Sequence, residues 1–93
     1  MKVRWSRRAE ADFFAQSDHI AENDPALDRE LGAEVLARIG ALAQFPHRGR
    51  AGRVEGTREL PLPGLPWLAI YEITGETVVI LRLLHGAQHW PRG

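Results

Sequence analysis

The sequence predicts an α+β domain of order β-α-α-β-β-β, with a helical hairpin packed on one face of a small, mostly antiparallel sheet. Three observations point there. Leu27, Leu31, Val35, Ile39 and Leu42 recur every three or four residues, the spacing of a single helix face. Two β-rich runs flank Gly75-Glu76 and read as a hairpin. Asn23-Asp24-Pro25 stops one helix and starts the next, and so short a connection makes the two antiparallel.

Taken in order, Lys2-Val3-Arg4-Trp5 alternates polar and apolar groups among β-formers and predicts a first strand. Ser6 is a good N-cap, and 7–22 carries helix formers. Ala9, Phe13, Ile20 and Ala21 mark its apolar face, with Ser17 interrupting the stripe. Asp24 caps the second helix, Pro25 takes its first position, and Pro46 ends it. Leu36 and Ala43 widen its apolar stripe. His47 to Gly56 is rich in Gly and Arg and reads as a loop. Strands follow at 57–62, 67–73 and 77–84, with Pro61, Pro63, Gly64 and Pro66 making a rigid turn between the first two. The final run, almost wholly apolar, has the composition of a central strand buried on both faces.

Residues 1–93 read as one domain, and a chain this short buries only about 60–65% of its unfolded surface. There is no cysteine, which removes disulfides and thiolate metal sites. The four histidines, at 19, 47, 85 and 89, lack metal-ligand spacing, and Gly49-Arg50-Ala51-Gly52-Arg53 lacks the Gly-Lys-Ser/Thr end of a phosphate loop. No cofactor is expected. The basic N-terminus has no apolar run behind it, so neither a secretory signal nor a membrane segment is predicted.

Formal charge is zero, but its distribution is uneven. Eight acids stand between Glu10 and Glu34 against Arg29 alone, whereas Arg48, Arg50, Arg53 and Arg58 face only Glu55 in 47–58. All bases but Lys2 are Arg, the side chain suited to planar contacts with phosphate or carboxylate. The strands are apolar on both sides: Leu68 and Ile70 alternate with Trp67, Ala69, Tyr71 and Ile73. One hairpin covers one face, so the other is expected to be an open apolar flank awaiting a partner, the chain's own tail or a second copy.

Several strings, in order, resemble the RelE/ParE toxin superfamily of type II toxin–antitoxin systems. They are Trp5 with Ala9 and Asp12, Ile20-Ala21 before Asn23-Asp24-Pro25, Phe45-Pro46 with Gly49-Arg50, and Arg58-Glu59-Leu60. Tyr71-Glu72-Ile73, Ile80-Leu81-Arg82, His85-Gly86 and Gln88-His89-Trp90-Pro91 complete the set. The Phe-Pro…Gly-Arg junction and the C-terminal ending resemble the ParE side. The resemblance implies a cytoplasmic toxin neutralised by a cognate antitoxin in a stable hetero-oligomer, with DNA gyrase as target. It implies no membrane association and no sequence-specific DNA binding by this chain. The alternatives are a RelE-like, ribosome-dependent messenger RNA endoribonuclease that needs no metal, and a non-toxic interaction module of the same fold.

A ribonuclease would need a base, an acid and cations for the phosphorane. Glu59 (or Glu55) would be the base, His85 the acid, and Arg58, Arg82 and Arg50 the clamps, with Tyr71 stacking on a nucleobase or giving up a proton. Against this, Arg58 and Glu59 are strand neighbours that point to opposite faces, and Arg82 has the position of a stem packed on the core with its head paired to an acid. Gly86 after His85, and the lack of Lys beyond Lys2, depart from the RelE-like pattern. A gyrase binder needs a surface instead, for which Arg48, Arg50, Arg53 and Trp90 are the candidates, Trp90 serving otherwise as a tail anchor on the sheet. An antitoxin segment is expected in the groove between hairpin and sheet. Phe14, Leu27, Leu36, Trp67, Tyr71 and Ile73 would line it, with Arg50, Arg53 and Arg82 pairing with its acids.

Overall fold

The computed structural model describes residues 1–86 and 90–91 of the chain. Its elements are β1 (Lys2–Trp5), α1 (Arg7–Ala21), α2 (Pro25–Gly40), a 3₁₀ turn (Ala41–Ala43), β2 (Arg50–Ala51), β3 (Arg58–Pro61), β4 (Trp67–Thr74) and β5 (Thr77–His85). They form a five-stranded sheet in the order β1-β5-β4-β3-β2, antiparallel except where β1 runs parallel to β5. The expected order is present, with one addition. The Gly/Arg segment expected to be loop contributes β2, a two-residue rung whose Arg50 and Ala51 pair with Glu59 and Arg58. A pairing this short leaves no periodicity to read.

Both helices begin as their residues dictate. Ser6 Oγ accepts from the Ala9 N–H at 3.0 Å, Asp24 Oδ1 accepts from the Leu27 N–H at 3.0 Å, and Pro25 opens α2. Ser17, which interrupts the α1 stripe, donates to Asp28 at 2.6 Å and ties the hairpin together. The core lies between hairpin and sheet, with Ala9, Val35, Ile39 and Leu42 against Trp67, Ala69, Tyr71, Val78, Ile80 and Leu83. Trp5 joins it edge-on to Phe13, ring centroids 5.7 Å apart.

β1 pairs with β5 only as far as Trp5 and Ile80, which leaves the outer edge of 81–85 without a strand neighbour. α1 closes that edge with side chains. Ser6 Oγ donates to Leu81 O, the Leu83 N–H donates to Asp12 Oδ2, and Gln16 Nε2 donates to Leu83 O. A register shift at Ile70/Tyr71 leaves Leu81 out of the pairing with β4 and sets Arg82 opposite Ile70.

The expected open flank of the sheet is not there. Away from the hairpin, Ile70, Val79 and Leu84 are at most 5% exposed and Leu68 is half-buried. The reason lies in their cross-strand neighbours. Val79 pairs between Arg4 and Glu72, and Ile70 between Glu59 and Arg82, so long stems flank each apolar group. The large apolar side chains that are exposed, among the described residues, lie outside the sheet: Phe14, Leu27 and Leu36 on the hairpin, Met1, and Phe45. No helix among the described residues is long and apolar enough to cross a membrane.

Candidate interaction site

The arginine-bearing segment is rigidly mounted. Tyr71, fully buried in β4, donates its hydroxyl to Pro46 O at 2.7 Å and accepts the Gly49 N–H at 2.8 Å. Gly49 is needed for this approach, because a β-carbon there would lie 2.7 Å from the Tyr71 ring and oxygen. Arg58 Nη1 donates to Gly49 O at 2.8 Å and to His47 O at 3.5 Å.

Glu59 holds the far end of the segment. Its carboxylate is 1% exposed, accepts the Arg53 N–H at 2.9 Å, and meets the Arg50 and Arg53 guanidinium groups at 3.3 and 3.6 Å. Burial pushes this carboxyl up, but the Arg53 N–H, the Arg50 hydrogen bond and both positive charges together bring it below its ordinary value. Arg53 also reaches the tail, donating from Nη1 to Trp90 O at 2.9 Å. Arg48 lies over the exposed Phe45 ring, 4.7 Å from its centroid. Arg48, Arg50 and Arg53 thus belong to one segment pinned by Tyr71, Arg58 and Glu59, and Trp90 is brought to it.

The ribonuclease candidates do not converge. Glu59 and Arg82 share one row of the sheet on either side of Ile70, each with a partner: Arg82 Nε and Nη2 donate to Asp12 Oδ2 and Oδ1 at 2.8 and 3.1 Å. Arg58 points to the other face and is bonded to carbonyls, and His85 ends β5 opposite Trp67. Gln88 and His89 lie outside the described residues.

The residues expected to line an antitoxin groove separate into three places. Trp67 and Tyr71 are core, with Ile73 packed against it, so the middle of the space between hairpin and sheet is filled and an opening remains at the end of α1. Arg50 and Arg53 flank Glu59, and Arg82 is closed on Asp12. Phe14 and Leu36 are 59% and 50% exposed and, with Trp5, Glu10 and Phe13, border a hollow of about 410 Å³ on the outside of the hairpin. Leu27 precedes Leu36 by nine residues, which turns it to the opposite side of α2. Asp12, Gln16 and Gly49 carry structural roles that the residue pattern did not single out. The signal for the first two was their i,i+4 spacing on α1, which aligns them along β5.

Fold and surface define a small α+β domain that presents a pinned arginine segment and an apolar patch on its helical hairpin. The family model described as ParE toxin of type II toxin–antitoxin system, parDE, matches residues 3–90. The chain belongs to the ParE toxin family. It is 38% identical over 95 residues to the Sinorhizobium fredii (strain NBRC 101917 / NGR234) protein named "Putative toxin Y4kP", covering 98% of this chain and 94% of that protein. It also resembles a chain of the solved structure "Chromosomal ParDE TA system from P. aeruginosa", with a TM-score of 0.84 and 28% identity over 91% of this chain and 95% of the other. Membership of a parDE system implies an antitoxin as partner.

Proposed function

We propose that this ParE-family toxin halts growth by binding DNA gyrase through the pinned arginine segment, and that its antitoxin silences it by covering the outer face of the hairpin. Both partners place it in the cytoplasm. The observation that carries the reading is the commitment of the base candidate Glu59 and the clamp candidate Arg82 to structure. Glu59 is held ionised by two arginines, so it is a weak base near neutral pH, and Asp12 closes on Arg82. Exposed arginines and a nearby tryptophan are the groups that dominate protein–protein contacts. Arg48, Arg50, Arg53 and Trp90 form the target surface. Phe14 and Leu36 anchor the antitoxin, Leu27 extends its contact around α2, and acidic antitoxin groups reach Arg50 and Arg53.

Induction of the chain alone in a bacterium tests this. The expected result is a DNA-damage response with messenger RNA intact, retained in a His85→Ala variant and suppressed by co-expressed antitoxin. In-frame cuts in translated messages, lost in that variant, would overturn it in favour of the ribonuclease.

A further inference from the structure

One cleft of about 520 Å³ opens where the end of α1 faces the start of β4, bordered by Gln16, Ile20, Leu31, Pro66 and Trp67 among others. Gln16, Ile20, Leu31 and Trp67 stand between it and a void of about 10 Å³ deeper under the hairpin, lining both. Two polar atoms here are buried and have no partner: the indole Nε1 of Trp67, a donor on a side chain 7% exposed, and the amide Oε1 of Gln16, an acceptor. The Gln16 amide cannot turn over without cost, because its Nε2 donates to Leu83 O at 2.8 Å.

We infer that this cleft receives a primary-amide side chain, Asn or Gln, from the antitoxin, with Trp67 Nε1–H donating to its oxygen and its nitrogen donating to Gln16 Oε1. The inference rests on the toxin–antitoxin reading above. The donor and the acceptor each lose a hydrogen bond to water on burial, a cost that a matching ligand recovers. A carboxylate would satisfy Trp67 and set its charge against the Gln16 oxygen, and an ammonium would do the reverse. A neutral group that accepts and donates through two separate atoms answers both, because the two protein atoms do not bond each other. Ala15, Ile20, Leu31 and Pro66 offer apolar contact to the methylene stem of such a side chain, His19 and His85 also border the cleft, and a volume of this size accommodates it. Entry requires the half-buried Ile20 or Leu31 to change rotamer, a common adjustment at interfaces.

The test uses the purified toxin and its cognate antitoxin. In ¹⁵N-labelled wild-type toxin the Trp67 indole resonance is expected to move downfield on complex formation. Trp67→Phe is expected to bind about tenfold more weakly, and the free variant to fold but melt somewhat lower than wild type through the ring volume lost from the core. Replacing one Asn or Gln of the antitoxin by Leu is expected to weaken wild type by a similar factor and Trp67→Phe hardly at all, the non-additivity of a direct pair. An indole resonance unmoved in a complex of normal affinity overturns the inference and leaves the antitoxin reading standing. It is also overturned if Trp67→Phe folds and binds as wild type. Failure of the wild-type toxin to bind its antitoxin would overturn the parent reading first, and this one with it.

Discussion

At the scale of single residues, Tyr71, Arg58 and Glu59 fix the arginine segment, and the Tyr71 and Glu59 contacts each make a prediction. Gly49 lies against the Tyr71 ring with no room for a β-carbon, so Gly49→Ala forces Tyr71 or the segment to move. Thermal unfolding should show a loss of about 1–3 kcal/mol. Glu59 makes the second. Its folded-state carboxyl is held below the unfolded value, so its stabilisation is present above about pH 4.3 and is lost as pH falls through the lower folded value. Glu59→Gln should therefore melt lower than wild type at neutral pH, by about 1–2 kcal/mol because the partner guanidiniums are largely solvated. The gap should narrow in acid. A gap that widened as pH fell would contradict the assignment.

At the scale of elements, the meeting of α1 with β5 decides more than either element alone. Asp12 neutralises Arg82 and accepts the Leu83 N–H, so one side chain serves both an ion pair and the edge of a strand. Asp12→Ala leaves a guanidinium 13% exposed and a backbone donor without their partner. We expect a loss of about 2–4 kcal/mol, read as a large fall in melting temperature. The helices, the turn at Asn23-Asp24-Pro25 and the β4–β5 hairpin were legible in the sequence, because caps, proline and periodicity are local signals. β2 was not, since two residues carry no period. Nor was the closure of the far face: alternation shows that Ile70 and Val79 point away from the hairpin, but only the register reveals that Glu59, Arg82, Arg4 and Glu72 stand beside them. For the same reason Tyr71 and Trp67 were expected in the antitoxin groove, and packing makes them core.

At the scale of the whole molecule, we propose that two surfaces divide the work: the hairpin exterior around Phe14 and Leu36, and the arginine segment anchored on β3 and β4. Phe14→Arg places a charge at the apolar hollow without disturbing the core. It should weaken antitoxin binding at least tenfold, by titration calorimetry, and leave growth inhibition intact. The central claim is that the arginine segment engages gyrase, and inhibition of gyrase-driven supercoiling by the purified chain measures it most directly. We expect inhibition by wild type, loss in the Arg48→Ala/Arg50→Ala double variant, and relief on adding antitoxin. Normal supercoiling in the presence of folded, growth-inhibiting wild type would contradict the claim.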